Sequence, residues 1–397
     1  MGKVRVLLIG IGGYGQGYLR ELLSGNDPSV ELAGVADPYA SSSLRLDELK
    51  ARNISVYKNP LDFYVENRTG SRAADLAIIS SPIHTHYAYA ISCMLYGSHV
   101  LCEKPVSGSL AELDALMAAE KKLGLFAAVG FQLCFSRDVL ALKQDILDGL
   151  FGKPLEFKAL FLPRRGTIYY NRNNWAGKLH YEGSTILDSP LQNACAHELL
   201  NMLFLLGNEM NRSAAMESLE AELWQGRPDI QNYDAAALRI KTETGVRVLF
   251  YTAHCVKQLF TGPMWELRFE NAVIKRGPPP DMNYTACFND GRIKTYSGID
   301  KGSPLQKLYD CADAVHTGIP PVCTMETARS HLHCVISAQQ YPVQKVPPEI
   351  LAMGTDDDGD VFYYIPGLKD AFLSAYEKNA LPRENGFNIP GARLFPG

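Results

Sequence analysis

The run Gly10-Ile11-Gly12-Gly13-Tyr14-Gly15 has the spacing G-x-G-x-x-G. In that pattern Gly10 permits a tight turn, Gly12 removes the Cβ that would block a pyrophosphate, and Gly15 lets a helix approach the strand before it. With Gly13 and Tyr14 it forms a site where the first N–H groups of a helix hold an anion. The run follows the apolar stretch 4–9 and precedes a helical pattern over 14–24, the context that this use requires. Asp37 ends the next apolar stretch, 31–36, and the first basic residue after it is Arg45. A carboxylate there accepts hydrogen bonds from ribose hydroxyls and repels a 2′-phosphate, so the two features together predict NAD as cofactor, with NADP as the alternative. The same Asp37 also suits a turn or helix cap.

A second place for chemistry is Glu103-Lys104-Pro105, closing the apolar stretch 99–102. Charges do not belong inside a buried strand, but the carboxyl edge of a doubly wound sheet is where its ligands bind. A lysine there can donate to a substrate hydroxyl and ease the alkoxide character that grows as hydride leaves.

A third is the stretch from Asp188 to Leu205. Ser189 and Pro190 announce a helix, and Asn193, His197 and Asn201 recur at i, i+4 and i+8 on otherwise apolar surface. The spacing predicts one polar stripe facing a cleft, with His197 suited to proton transfer. Just upstream, Arg164, Arg165, Tyr169, Tyr170, Arg172, Asn173, Asn174, Trp175 and Lys178 crowd a short segment. Such groups suit sugar hydroxyls and ring faces, and the cations suit a carboxylate or phosphate. Arg165, Tyr169, Trp175 and Lys178 are the expected substrate contacts.

The elements that must position these groups follow a simple grammar. Apolar runs at 4–9, 31–36, 75–80, 99–102 and 126–131 alternate with amphipathic stretches. Strands buried on both faces and joined through helices call for a parallel sheet covered on both sides, a doubly wound α/β layout. Beyond about residue 150 the runs 155–161, 234–241, 246–255 and 265–269 are joined by short turns such as Glu243-Thr244-Gly245, which implies antiparallel pairing. Helical patterns follow at 304–316 and 324–340. The expected organisation is a dinucleotide-binding domain over 1–130 and an α+β domain with a largely antiparallel open sheet over 131–397, for substrate binding and oligomerisation.

With 39 Lys+Arg against 43 Asp+Glu, the net charge of −4 leaves no excess to attract nucleic acid or anionic lipid. The nine cysteines are never closer than nine residues, so no CxxC pair exists, and they read as small buried apolar groups of a reducing compartment. His331, His333 and Cys334 stand together in a helical pattern without a second ligand cluster, so no metal is predicted. No apolar run reaches membrane-spanning length and Lys3 and Arg5 lead into no cleavable leader, so a cytoplasmic location is expected.

The run Gly97, His99, Val100, Glu103, Lys104, Pro105 resembles the G-x-H-V-x-x-E-K-P pattern of glucose-fructose oxidoreductase, inositol dehydrogenase and their relatives, the Gfo/Idh/MocA family. Ser81, Pro82 and His86 are similar to that family's T-P-x-x-x-H, Val129-Gly130-Phe131-Gln132 to its V-G-F-Q, and residues 310–318 with 320–327 to its late helix-turn-helix. The resemblance implies NAD(P)-dependent oxidation or reduction of a sugar, polyol or related hydroxy compound. It also implies that Ser81, Pro82, His86 and Glu103 line the cofactor site with Lys104, and that the chain forms a homodimer or homotetramer. It adds a catalytic histidine ten residues before a glycine, as His197 precedes Gly207.

Two departures stand out. Cys134 replaces a common arginine, and Asn193 replaces the aspartate that precedes the catalytic histidine by four residues. An amide cannot compensate imidazolium charge, so His197 has either a lower pKa or Asp188 as its partner. In the expected chemistry His197 takes the hydroxyl proton, Lys104 polarises the same oxygen, and Asn193 orients substrate or imidazole. Asn193 also keeps open two other readings: elimination or glycoside hydrolysis through transient oxidation by tightly held NAD, and a non-catalytic dinucleotide sensor.

Overall fold

A computed structural model of the chain describes residues 2–68, 72–280, 282–297 and 305–395. Two compact units form, residues 1–135 with 302–329, and residues 136–301 with 330–397. The first unit begins with β1 (Val4–Ile9), α1 (Gly15–Ser24), β2 (Val30–Ala36), α2 (Leu46–Ala51), β3 (Val56–Tyr57) and α3 (Pro60–Glu66). It continues with β4 (Leu76–Ile79), α4 (Ile83–Leu95), β5 (His99–Cys102), α5 (Leu110–Leu123) and β6 (Ala127–Val129). The six strands are parallel in the order β3-β2-β1-β4-β5-β6. Every residue of β4 is buried, as a strand covered on both faces requires. The order reverses between β1 and β4, and that switch point is where open α/β sheets bind ligands.

The second unit holds α6 (Arg137–Leu147), β7 (Pro154–Pro163), α7 (Thr167–Tyr170), a hairpin of β8 (His180–Tyr181) and β9 (Ser184–Thr185), and α8 (Ala196–Leu205). Strands β10 (Met216–Gln225), β11 (Ala235–Thr242), β12 (Arg247–Ala253), β13 (Phe260–Phe269), β14 (Ala272–Arg276), β15 (Tyr284–Phe288) and β16 (Ile293–Tyr296) follow. The chain returns to the first unit for α9 (Gln306–Thr317), and α10 (Met325–Ala338), β17 (Val343–Lys345), the hairpin β18 (Ala352–Thr355) and β19 (Val361–Tyr364), α11 (Leu368–Lys378) and β20 (Arg393–Phe395) follow. Ten strands form one sheet in the order β16-β15-β14-β13-β7-β12-β11-β10-β17-β20. Its pairs are antiparallel except β7 with β12 and β10 with β17. Phe372 and Leu368 of α11 cover one face, packing on Trp224, Leu249 and Tyr251.

Helix α9 belongs to the first unit, whereas periodicity in the sequence left its segment with the second domain. The physical reason lies in its apolar stripe, which puts Leu308, Cys311 and Ala312 into one core with Val6, Leu8, Ile78 and Leu101 of the parallel sheet. Fully burying one leucine contributes about 1.5–3 kcal/mol. The chain after α9 then runs beside β6, with the N–H of Val129 donating to the Cys323 carbonyl at 2.8 Å and an antiparallel bridge joining Ala128 to Thr324. A periodic pattern identifies a helix but not the sheet it covers.

Glu120 of α5 caps the edge of β6 by accepting the N–H of Ala127 at 2.7 Å. Burial pushes its carboxyl from the ordinary 4.5 up to about 7. A folded-state value above the unfolded one means that folding favours the protonated form. The stability this group contributes is complete below about 4.5 and is lost as pH rises to about 7. Thermal melts over that window should show Tm falling with pH, and Glu120→Gln should reduce the slope. A variant that keeps the full wild-type slope removes Glu120 as its cause.

Among the described residues no helix is long and apolar enough to cross a membrane. Eight of the nine cysteine thiols are buried and Cys287 is exposed.

Candidate functional site

In the first unit the glycine turn lies at the switch point between β1 and β4. Gly10 has a φ of +83°, and a Cβ on it would stand 2.7 Å from the Ser81 nitrogen, so only glycine lets the ends of β1 and β4 approach this closely. At Gly15 a Cβ would lie 2.1 Å from the Gly10 carbonyl oxygen. At Gly12 it would meet nothing within 4 Å, so the open space above the turn borders on Gly12. Helix α1 starts with no side-chain cap. Its dipole therefore acts on that space, which fits a dinucleotide diphosphate, while the N–H groups of Gly15, Gln16 and Gly17 donate to the carbonyls of Gly12, Gly13 and Tyr14. Replacing Gly15 with Ala should cost about 1–3 kcal/mol of overpacking. NADH affinity is expected to fall at least about tenfold in a fluorescence titration, and unchanged affinity would show that the turn does not need this close approach.

Asp37 closes the turn from the end of β2. Its carboxylate accepts the Ile11 N–H at 2.9 Å and the Tyr39 N–H at 2.8 Å, so it braces the glycine loop and is half-buried. Tyr14 stands at the start of α1 and is 46% exposed. Ser81 and Pro82 lead into α4, where the hydroxyls of Ser81 and Thr85 are 2.6 Å apart.

Two residues expected at the cofactor have other contacts. His86 is buried, with Nδ1 2.8 Å from the Pro105 carbonyl and Nε2 2.7 Å from the Ser81 carbonyl. It stands between the loop after β4 and the segment after β5; burial pushes its pKa down, and the neutral ring donates to one of the two carbonyls. Glu103 accepts the Tyr18 hydroxyl at 2.7 Å and the Lys307 ammonium at 2.5 Å. Lys307 is 1% exposed and also donates to the Gly130 carbonyl at 3.1 Å. The ion pair pins α9 under the loop that carries half-buried Lys104. Nothing in the sequence marks Lys307, because a lysine in an amphipathic helix reads as solvated.

In the second unit the segment after Ser189 departs from a single α-helix. Ser189 does cap it, accepting the Gln192 N–H at 3.2 Å. Residues Pro190–Ala194 form a wide π-turn, and Cys195, at φ −113°, separates it from α8. The extra residue in the turn shifts the register. Asn193 and His197 are half-buried, but Asn201 is fully buried with its amide donating to the Tyr284 hydroxyl at 3.3 Å. The expected three-residue stripe is therefore a pair, and Asn201 holds α8 to the sheet. His331 fastens the π-turn through Nε2, 2.9 Å from the Leu191 carbonyl.

Asp188 is the centre of a polar knot. One carboxylate oxygen accepts the Asn193 amide at 2.9 Å. The other accepts the Gly177 N–H at 2.7 Å and lies 3.7 Å from Arg172. The hydrogen bond to Asn193 fixes which end of its amide is nitrogen. Arg172 lies over the Tyr169 ring at 3.7 Å and the Trp175 ring at 4.9 Å, and Arg165 over Tyr169 at 5.1 Å. The structure thus gathers Arg165, Tyr169, Trp175, Asp188 and Asn193. The Lys178 ammonium instead lies 5.3 Å over the Tyr181 ring. Arg172 and His254 join the group without having been selected from the sequence. His254 follows β12 and its Nδ1 is 2.8 Å from the Tyr170 hydroxyl. Its only sequence signal is a histidine at a strand end.

Among the described residues no three His, Cys, Asp or Glu side chains are grouped to hold a metal ion. Residues 4–131 match the Gfo/Idh/MocA family, described as an oxidoreductase family with an NAD-binding Rossmann fold. Myo-inositol 2-dehydrogenase of Thermotoga maritima is 28% identical over 156 residues, 38% of this chain and 43% of that protein. Inositol 2-dehydrogenase 1 of Saccharopolyspora erythraea is 24% identical over 246 residues, 62% of this chain and 66% of that protein. The matches span less than two thirds of these relatives' lengths. The WlbA dehydrogenase of Bordetella pertussis, solved with NADH and UDP-GlcNAcA, superposes with a TM-score of 0.68 at 18% identity, covering 85% of this chain and 97% of that one. UDP-N-acetylglucosamine 3-dehydrogenase GnnA of Acidithiobacillus ferrooxidans gives 0.65 at 19% identity over 85% of this chain and 97% of that one, a likeness of fold. Residues 4–131 are thus similar to the NAD-binding Rossmann domain of the Gfo/Idh/MocA oxidoreductase family.

Proposed function

We propose that the protein is an NAD-dependent oxidoreductase that acts on a hydroxyl carbon of a sugar, polyol or related small molecule. The carrying observation is the glycine turn at the β1 and β4 switch point, with open space beside Gly12 and a carboxylate, Asp37, at the end of β2. Relatives named as inositol and glucoside dehydrogenases support the substrate class. Gly10, Gly12, Gly13 and Gly15 would hold the diphosphate, and Asp37 the adenosine ribose. When bound, NAD supplies the hydride acceptor. In this reading His197 acts as general base toward the substrate hydroxyl, and Lys104 is a donor able to stabilise developing negative charge. Asn193, held by Asp188, orients a polar neighbour.

Titration with NADH and NADPH tests the cofactor assignment. Tighter NADH binding is the expected result, and Asp37→Ser should narrow the gap by about tenfold, the magnitude of one lost charge-assisted hydrogen bond. Markedly tighter NADPH binding by the wild type ends the NAD assignment.

A further inference from the structure

Three of the four arginines around segment 164–178 have an acid. Arg164 pairs with Asp356 at 2.9 Å and Arg227 with Asp229 at 2.6 Å, while Arg172 lies 3.7 Å from Asp188. Arg165 makes no ion pair and no side-chain hydrogen bond among the described residues, although its Nε is shut away from solvent. It is a fixed group: its backbone N–H donates to the His254 carbonyl at 3.2 Å, and its guanidinium rests over Tyr169. The strands that bring these two residues together, β7 and β12, run parallel, so both side chains leave from carboxyl ends. His254 is 2% exposed, and its Nε2 has no partner among the described residues.

The charges here leave a remainder. Arg172 and Asp188 cancel, and His254 is held neutral by burial, with Arg165 and Arg172 acting in the same direction. The nearby carboxylates are engaged by backbone, Asp360 accepting the Ile168 N–H and Asp234 those of Gly226 and Arg227, so Arg165 is left without an ion-pair partner in a half-buried setting, where an uncompensated ion is unfavourable. A planar guanidinium beside a neutral imidazole matches a planar monoanion. A phosphate dianion would overcharge the site.

We infer that the substrate is a hydroxy acid of the sugar class, whose carboxylate pairs with Arg165, with His254 as the neighbouring donor. This rests on the oxidoreductase reading above and narrows its substrate. The test compares matched acids and neutral compounds: glucuronate, galacturonate and gluconate against glucose, galactose and glucitol, each with NAD. The wild type should favour the best acid at least about tenfold in kcat/KM over its neutral partner. Arg165→Met should lower that ratio about tenfold to 100-fold, the magnitude of a lost charge-assisted hydrogen bond, and Arg165→Lys should restore part of it. NADH titration and thermal melts report that the variants fold. A wild-type preference for the neutral compounds, or a ratio unchanged in Arg165→Met, overturns the proposal. Should neither class be oxidised although NADH binds, the oxidoreductase reading fails separately. Saturation-transfer NMR with the same acids then decides the inference: binding lost in Arg165→Met supports it, and no binding or equal binding overturns it.

Discussion

Turnover should fall about 100-fold or more when His197 is replaced by Ala, because a positioned general base contributes roughly two to four orders of magnitude. The expectation rests on where the side chain stands: His197 is half-buried, as is Asn193, while the next polar position, Asn201, is turned into the core. The effect should appear in kcat, and the pH dependence of the remaining rate should lose its acidic limb, since a base acts only when deprotonated. NADH titration of the variant reports the state of the first unit, which has its own core. Turnover equal to that of the wild type would remove His197 from the chemistry and direct attention to Lys104 alone.

The second large effect is on stability. Lys307→Met leaves the Glu103 carboxylate, whose side chain is 12% exposed, without its ammonium partner. Breaking a buried pair by removing one member costs about 3–5 kcal/mol, since the remaining charge is uncompensated. Denaturant unfolding should record that loss. Adding Glu103→Gln to Lys307→Met should recover a large part of it, because the orphaned charge is then gone. A loss below about 1 kcal/mol in the single variant would mean that the pair acts as an exposed one. This experiment also tests why α9 belongs to the first unit, since the ion pair and the apolar stripe of Leu308 and Cys311 act on the same helix.

Much of the first sheet can be read in the sequence because its strands are short, continuous apolar runs. The stretches 4–9 and 99–102 coincide with β1 and β5. Strand β3 was not visible, having only Val56 and Tyr57. In the second unit β10 escapes for a different reason: Met216–Gln225 holds three Glu and two Leu, which favour helices, and only its pairing with β11 and β17 makes it a strand. Fine positions in the site are harder still. The π-turn at Pro190–Ala194 cannot be separated from α8 by a period, so the stripe looked continuous. Which acid neutralises which arginine is a matter of tertiary approach, and it singles out Arg165 from Arg164 and Arg172 only once Asp356 and Asp188 are in place. His86 illustrates the converse, a motif residue whose two ring nitrogens both face carbonyls.

The most direct test is to follow the reduced-nicotinamide absorbance after mixing the protein with NAD and the sugar acids and polyols named above. Growth of that band in step with loss of the hydroxy compound is the predicted result. Tight NADH binding with no absorbance change from any of them, or release of an aglycone without one, would contradict net hydride transfer.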